Sequence, residues 1–592
     1  MNKVTVGSNS YEKGGKNMKR IIYLIVSLMM VAGLVLAACA PSNGDGNGDG
    51  NGNGEPPACE TPEYGGTLTV AVPTGGTTGG DPGQDPRLDG EATSAMFEFM
   101  MRRDSTTPIA DAVSLEGYEG HLLESWEEVS PTHFILTLRD DVTFQNLPPV
   151  NGRGMTAYDI EYCVHRFMGL GSGYDTPSVW LNFNLQLKNM PLESVTATGD
   201  YTVEVILSEP YLHALQIFLG AFVIYPRELQ DTYGESAMND WTKLVGSGPY
   251  IADDWVADSS VKYVRNPDYW LFDWDYPANR LPYIDTYEAL IIPDAQTRTA
   301  ALRTGQIAIL PVEDLQTYKD LRETNPELNE FLYMQDCPAF MIDMNTEHSA
   351  PLDDIRVRIA LQKSINLEEI ATEYYDGAAD PTPFGQLGDI TGYNYPYSEW
   401  PESLKAEYSY DPEAAMALLE EAGYPTGFTV DIWNPQIGDQ SLLLLLTDYF
   451  DDIGVESNIR TVDMISYSDR INSKTAYGLT YYYYTRFTLS PWGWVSAWHY
   501  NGNPGGWTHN YPEYDDLVEA MVATETEEEQ RQLVYECDKY AIEKHFAITT
   551  PRRGSVVFWQ PWLCGGDWEG WAHIGSAGPR VWINQALKEQ MT

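Results

Sequence analysis

Positive charge is what this chain has least of. Against 86 Asp and Glu it sets only 36 Lys and Arg, a formal charge of −50 over 592 residues. Nucleic acid is excluded as a partner, because a phosphate backbone demands a clustered basic footprint. Cysteine is sparse too: Cys39, Cys59, Cys163, Cys337, Cys537 and Cys564 include no C-x-x-C pair, which argues against structural zinc. The histidines contain no H-E-x-x-H, and for His499 and His509, which share a loop, a structural or surface role outweighs metal ligation. A G-x-S-x-G motif and a cysteine–histidine constellation are also missing. The expectation is a non-enzyme without cofactor or metal. Carboxylate pairs are inevitable among so many acids, so an exported glycan-active hydrolase stands as a remote alternative. With 43% hydrophobic residues the chain is globular and long enough to need several cores. Its acidity reads as a solvated coat that keeps an exported protein soluble, or as an attraction for cationic ligands.

Long apolar runs are equally scarce, with one exception near the N-terminus. Lys19 and Arg20 precede Ile21 to Ala38, 18 residues without a charge, and the run closes on Leu36-Ala37-Ala38-Cys39. Small residues before a cysteine resemble a bacterial lipoprotein signal, with Met18 as the natural start and Cys39 as the thiol that receives lipid. A run of this length also fits a retained transmembrane anchor. Removal of residues 1–38 takes away five basic residues and one acid, moving the charge from −50 to −54. Residues 39–59 then form a tether whose Gly, Asn and Asp give the backbone maximal freedom. Asp45, Asn47, Asp49 and Gly50 fall in phase with a calcium loop, but its twelfth position is Pro56 where a bidentate Glu is required.

The remainder mixes strands and helices, so the class is α/β or α+β. Leu68, Val70 and Val72 alternate with Thr67, Thr69 and Ala71, as do Phe134, Leu136 and Leu138, and Val203, Val205 and Leu207. Thr156 with Asp159 opens a helix whose Ile160, Val164 and Phe167 share a face and which ends at Gly169. Asp411-Pro412 starts another that reaches Ala422, with Gly423 as its stop. Asn366 and Glu369 open a third that runs to Gly377.

Six segments, taken in order, resemble the family 5 extracellular solute-binding proteins, the dipeptide, oligopeptide and nickel receptors of ABC importers. They are Leu122–Trp126 with Ser130-Pro131 and Phe134 to Phe144, Met155–Ile160, Gly246–Tyr250 with Arg265–Trp270, Pro293–Arg298 with Ala301–Gly305, and Pro351–Arg358. Most have structural uses: Gly246–Tyr250 permits tight backbone geometry and lacks the lysine of a nucleotide loop, and Arg356 and Arg358 read as ion-paired at a helix start. The resemblance implies an α/β, two-lobed periplasmic-binding-protein type II fold (class C) with an extra subdomain in lobe I. Lobe I takes residues 60–312 and 556–592, its inserted subdomain about 100–240, and lobe II 313–555, with hinges near Leu310 and Arg553. It further implies a monomer outside the cytoplasm, on the membrane by its lipid, that closes around a small solute and is recognised by permease subunits.

The ligand turns on residues 477–514, an unusually aromatic stretch. In peptide-binding relatives this region carries a Trp and, three residues on, an Asp that pairs with the peptide ammonium. Aligned on Pro491, those positions fall near Tyr484 and Phe487, and neither neighbour of Phe487, Arg486 or Thr488, supplies an acid. Tyr484, Phe487, Trp492, Trp494 and Trp498 read as flat walls for side chains or sugar rings, with Arg486 holding an anion, or as strand core and surface packing. A peptide ranks first, an oligosaccharide second, and a chelated metal or another anion behind them.

Overall fold

The computed structural model describes residues 59–591 except 60, 74–94, 104–114, 172–176, 179–184, 235–239, 313, 336–339, 343–349, 378, 386, 389, 391, 436–438, 464–465, 468–469, 471–472, 474, 476, 482–490, 497, 500–510 and 566–577. Alternation of apolar residues along Thr67–Val72 buries Leu68 and Val70, and this strand pairs in parallel with Thr286–Ile291, from Thr67 opposite Thr286 to Val72 opposite Ile291. Ser260–Arg265 and Tyr250–Val256 complete a four-stranded sheet as antiparallel additions. Packed with it is a second sheet in the order Leu123–Ser130, His133–Leu138, Thr202–Leu207, Leu192–Gly199. The helix Ala157–Met168 covers that sheet with Ile160, Val164 and Phe167 inward. Its start is a reciprocal capping box between Thr156 and Asp159, and its end is Gly169 at φ 70°. One hydrophobic core runs through both sheets and takes in Trp562, Val581, Trp582, Ile583 and Leu587 from the end of the chain.

A separate core occupies residues 352–548. Its sheet has five strands in the order Val455–Thr461, Phe428–Asn434, Leu479–Tyr481, Phe340–Ile342, Ala547–Ile548. The helices around it are capped as their sequences require. Asp411 accepts from the Ala414 amide at the start of Pro412–Glu421, and Gly423 sits at φ 95° just beyond its end. Asn366 accepts from Glu369, and the helix it opens continues through a π-turn at Ile370–Tyr374, with Gly377 at φ 77°. Arg356 is ion-paired with Asp354 at 2.5 Å. Arg358 departs from the expected ion pair: fully buried, it donates to the Leu352, Asp353 and Lys544 carbonyls and to the Tyr511 hydroxyl at 2.5 Å. Burial lowers its pKa, and the fixed carbonyl dipoles stand in for a carboxylate.

Among the described residues, no helix is long and apolar enough to cross a membrane and no cluster suits a metal ion. Cys59 is joined to Cys564 with Cα atoms 5.7 Å apart, and Cys163 and Cys537 are buried thiols. Cys39, Cys337 and His509 lie outside the described residues.

The Gly246–Tyr250 turn owes its glycines to close approach. A Cβ on Gly246 would meet the Met96 carbonyl oxygen at 1.8 Å, and one on Gly248 would meet the same atom at 2.7 Å. Buried Gln145 holds the turn, donating to the Tyr250 carbonyl at 2.6 Å and accepting from the Gly246 amide at 3.3 Å. Gly246→Ala is therefore expected to cost about 3 kcal/mol through backbone displacement, and Gly248→Ala less. Thermal unfolding of the two variants checks this, and an unchanged transition for Gly246→Ala refutes it.

Candidate functional site

Among the described residues, two places join the cores. At the first, Asn329–Gln335 carries the chain toward the second core and Arg553–Trp559 brings it back. The two strands pair antiparallel over their whole length, from Asn329 opposite Trp559 to Gln335 opposite Arg553. Ile309–Val312 lies on the other edge of the returning strand, so Leu310 faces Phe558 there while the outward crossing comes later in the chain. Leu302, Ile307, Leu310, Val312, Leu321, Val556 and Phe558 form a small core of their own beneath this three-stranded sheet. The helix Leu315–Thr324, opened by Asp314, bridges outward: Leu315 packs on the second core, Tyr318 on the small one, and Lys319 pairs with Asp376 at 3.1 Å.

The second junction is aromatic. His213 holds a left-handed backbone, φ 57°, just before the short helix Ala214–Leu219 of the first core. Its ring lies flat on Trp492 of the second core, centroids 3.9 Å apart and planes inclined by 2°. Its Nε2 is 2.7 Å from Oε1 of Gln530, in the helix Glu527–Glu543, which makes that nitrogen the donor and fixes the tautomer. Tyr393 lies 6.4 Å from Trp492, and the Arg531 guanidinium is 5.0 Å from the Tyr393 centroid. Burial lowers the His213 pKa, while the Gln530 hydrogen bond and the Glu527 charge oppose the shift less strongly. Burial also raises that of neighbouring Tyr211. A neutral imidazole is thus sandwiched into the seam between the lobes.

Among the described residues singled out from the sequence, Trp492 lies in this contact. It is 1% exposed, and its indole N–H is buried without a hydrogen-bond acceptor. Trp498, 2% exposed, stacks on Phe546 at 5.6 Å inside the second core. Trp494 belongs to the same helix as Trp492, Pro491–Ser496. Tyr484, Arg486 and Phe487 lie outside the described residues, as does His509. His499 is buried with Glu519 and Asp515 at 3.6 and 3.9 Å. Sequence reasoning missed His213 and Gln530. No motif marks either, and 317 residues separate them.

Heme-binding protein A of Haemophilus influenzae is 28% identical over 372 residues, 60% of this chain and 63% of that protein. The dipeptide-binding protein of Escherichia coli is 28% identical over 255 residues, 41% of this chain and 42% of that one. This chain thus spans less than two thirds of the length of either relative. In structure it is similar to the periplasmic binding protein DppA of Helicobacter pylori, solved with the peptide STSA. The TM-score is 0.72 at 20% identity, covering 88% of this chain and 98% of that one, which establishes the two-lobed type II binding-protein fold. Residues 117–506 match the model described as "Bacterial extracellular solute-binding proteins, family 5 Middle", and this chain belongs to that family.

Proposed function

We propose that this chain is the extracytoplasmic solute receptor of an ABC importer, trapping a peptide or related small solute between its lobes and presenting it to the membrane permease. The observation that carries the proposal is a family 5 chain whose two cores are joined by one strand pair and touch again at His213. Such a body closes by bending at the strands, and a solute bound to both faces stabilises the closed form. In this reading lobe I comprises 60–312 and 556–592 with a subdomain at about 100–240, lobe II comprises 313–555, and acylated Cys39 holds a monomer at the membrane. Tyr484, Arg486, Phe487, Trp492, Trp494 and Trp498 supply the ligand wall. The unsatisfied indole N–H of Trp492 at the seam supports that assignment, because a buried donor gains from an incoming acceptor. A relative named for heme and another named for dipeptide show how widely ligands vary on this scaffold. The second reading is an oligosaccharide or chelate, favoured by Phe487 standing where peptide receptors carry an acid.

Mass spectrometry of the solute that co-purifies, followed by thermal-shift titration with di- to pentapeptides and oligosaccharides, decides between them. A true ligand raises the melting temperature as its concentration passes the dissociation constant. Arg486→Ala is expected to weaken an anionic ligand at least tenfold, and unchanged affinity removes Arg486 from the site. Chemical turnover of the bound solute by the purified protein overturns the receptor reading.

The His213 contact carries its own pH dependence. Only the neutral ring stacks in the seam without a desolvation penalty, and its pKa lies below the ordinary 6.5. The contact is therefore fully present above pH 6.5 and is lost as pH falls from there through the depressed value. Solution scattering of the ligand-free protein is expected to show a larger radius of gyration at pH 5 than at pH 7.5. His213→Ala should give the open value at both.

A further inference from the structure

The end of the lobe I sheet remote from the hinge carries an aromatic face that solute capture does not use. Tyr64, Phe272, Trp274 and Tyr276 are 46%, 42%, 45% and 38% exposed. They are neighbours: the Tyr64 hydroxyl donates to the Arg280 carbonyl at 2.7 Å, and Phe272 bridges Arg280 in the backbone. Four arginines hold the rings in place. Arg280 lies 4.6 Å from the Phe272 centroid, Arg102 and Arg580 lie 4.4 and 4.0 Å from that of Trp274, and Arg265 is 5.2 Å from Tyr64. Three of them are paired, Arg102 with Glu119, Arg265 with Asp285, and Arg580 with Asp273 and Asp275. Four cations thus face these four anions, with exposed Glu63 beside Tyr64 left over, so the face is close to neutral on a chain of charge −50.

Its position points to an occupant. The sheet runs from Thr67 and Thr286 at this end to Val72 and Ile291 at the other, where Ala71 and Leu290 pack on the hinge core. The chain enters the fold at the near end, because Cys59 is bound to Cys564 and Tyr64 already belongs to the patch. Twenty residues, Cys39 to Ala58, precede Cys59 in sequence, and a Gly-rich chain of that length has in general a root-mean-square reach of about 25 Å. That is less than half the width of ~60 Å expected for a compact body of this length. The surface around the root of the tether therefore faces whatever holds Cys39. An acidic body is repelled by anionic headgroups, whereas a neutral surface of Trp, Tyr and Phe with Arg is suited to the water–lipid boundary.

We propose that Tyr64, Phe272, Trp274 and Tyr276 form a bilayer-contact face that seats lobe I in the headgroup layer and leaves the hinge end pointing away. The location rests on the reading of Cys39 as the lipid anchor. The test uses the chain from Cys39 onward, which keeps every described residue. An N-terminal hexahistidine on nickel-chelating lipid holds it on phosphatidylglycerol–phosphatidylethanolamine vesicles, so attachment does not need acylation. Hydrogen exchange of residues 271–282 is expected to slow at least fivefold on the vesicles relative to free solution. That protection should vanish in the Phe272→Ser/Trp274→Ser/Tyr276→Ser variant and fall in Trp274→Ser alone, whose exposed site leaves folding intact. Equal exchange on vesicles and in solution overturns the proposal, as does protection that survives both variants. Acyl mass on Cys39 of protein from a lipoprotein-processing host tests the anchor separately, and its absence removes that reading while the exchange result stands.

Discussion

Two chain crossings lying side by side and hydrogen-bonded to each other are the constraint on which this molecule depends. Asn329–Gln335 and Arg553–Trp559 form an antiparallel pair along their full length, with Ile309–Val312 on the far edge. Twisting or sliding one lobe against the other breaks that ladder, whereas bending across it leaves the bonds in place. The small core of Leu302, Leu310, Leu321, Val556 and Phe558 beneath the strands resists separation of the pair. Two large, separately packed cores are thereby joined so that the proposed closure is a bend across the ladder.

The stack of His213 on Trp492 acts along that coordinate. It lies far from the strands in sequence and joins segments that share no sheet, so in the proposed closing motion it is the contact that forms last. The energy at stake is modest, because a stacked pair and one hydrogen bond are together worth only about 1–3 kcal/mol. The receptor proposed above needs such a modest contact. If the lobes held each other too firmly, a solute would gain nothing by bridging them.

Much of the scaffold was legible in the sequence because local rules dictate it. Thr156 with Asp159, Asp411 before Pro412 and Asn366 before Glu369 cap helices through their own side chains, whatever surrounds them. Alternation at 134–138 and 203–207 set the buried faces of two strands, and in the first strand it held for Leu68 and Val70 while Val72 stays half-exposed. The family followed from the order of short motifs, one of which, Gly246–Tyr250, is now seen as a close-packed turn held by Gln145. The site was harder to read. Aromatic composition names rings but not neighbours, and so Trp492 in the seam and Trp498 against Phe546 looked alike. Arg358 looked like an ion-pair partner because charge is written in sequence, whereas the carbonyls that hold it are not. His213 needed a left-handed turn and a partner helix more than 300 residues away.

The bond between Cys59 and Cys564 has a mechanical corollary. A pull on the chain from the N-terminal side of Cys59 would otherwise act on Thr67–Val72, whose ladder with Thr286–Ile291 gives way one rung at a time when peeled from its end. With the sulfurs joined, the load passes instead into Leu563–Cys564 and its partner Trp582–Ile583, near the opposite terminus. The first and last strands of this lobe then bear the strain together, and Thr67–Val72 is shielded from peeling.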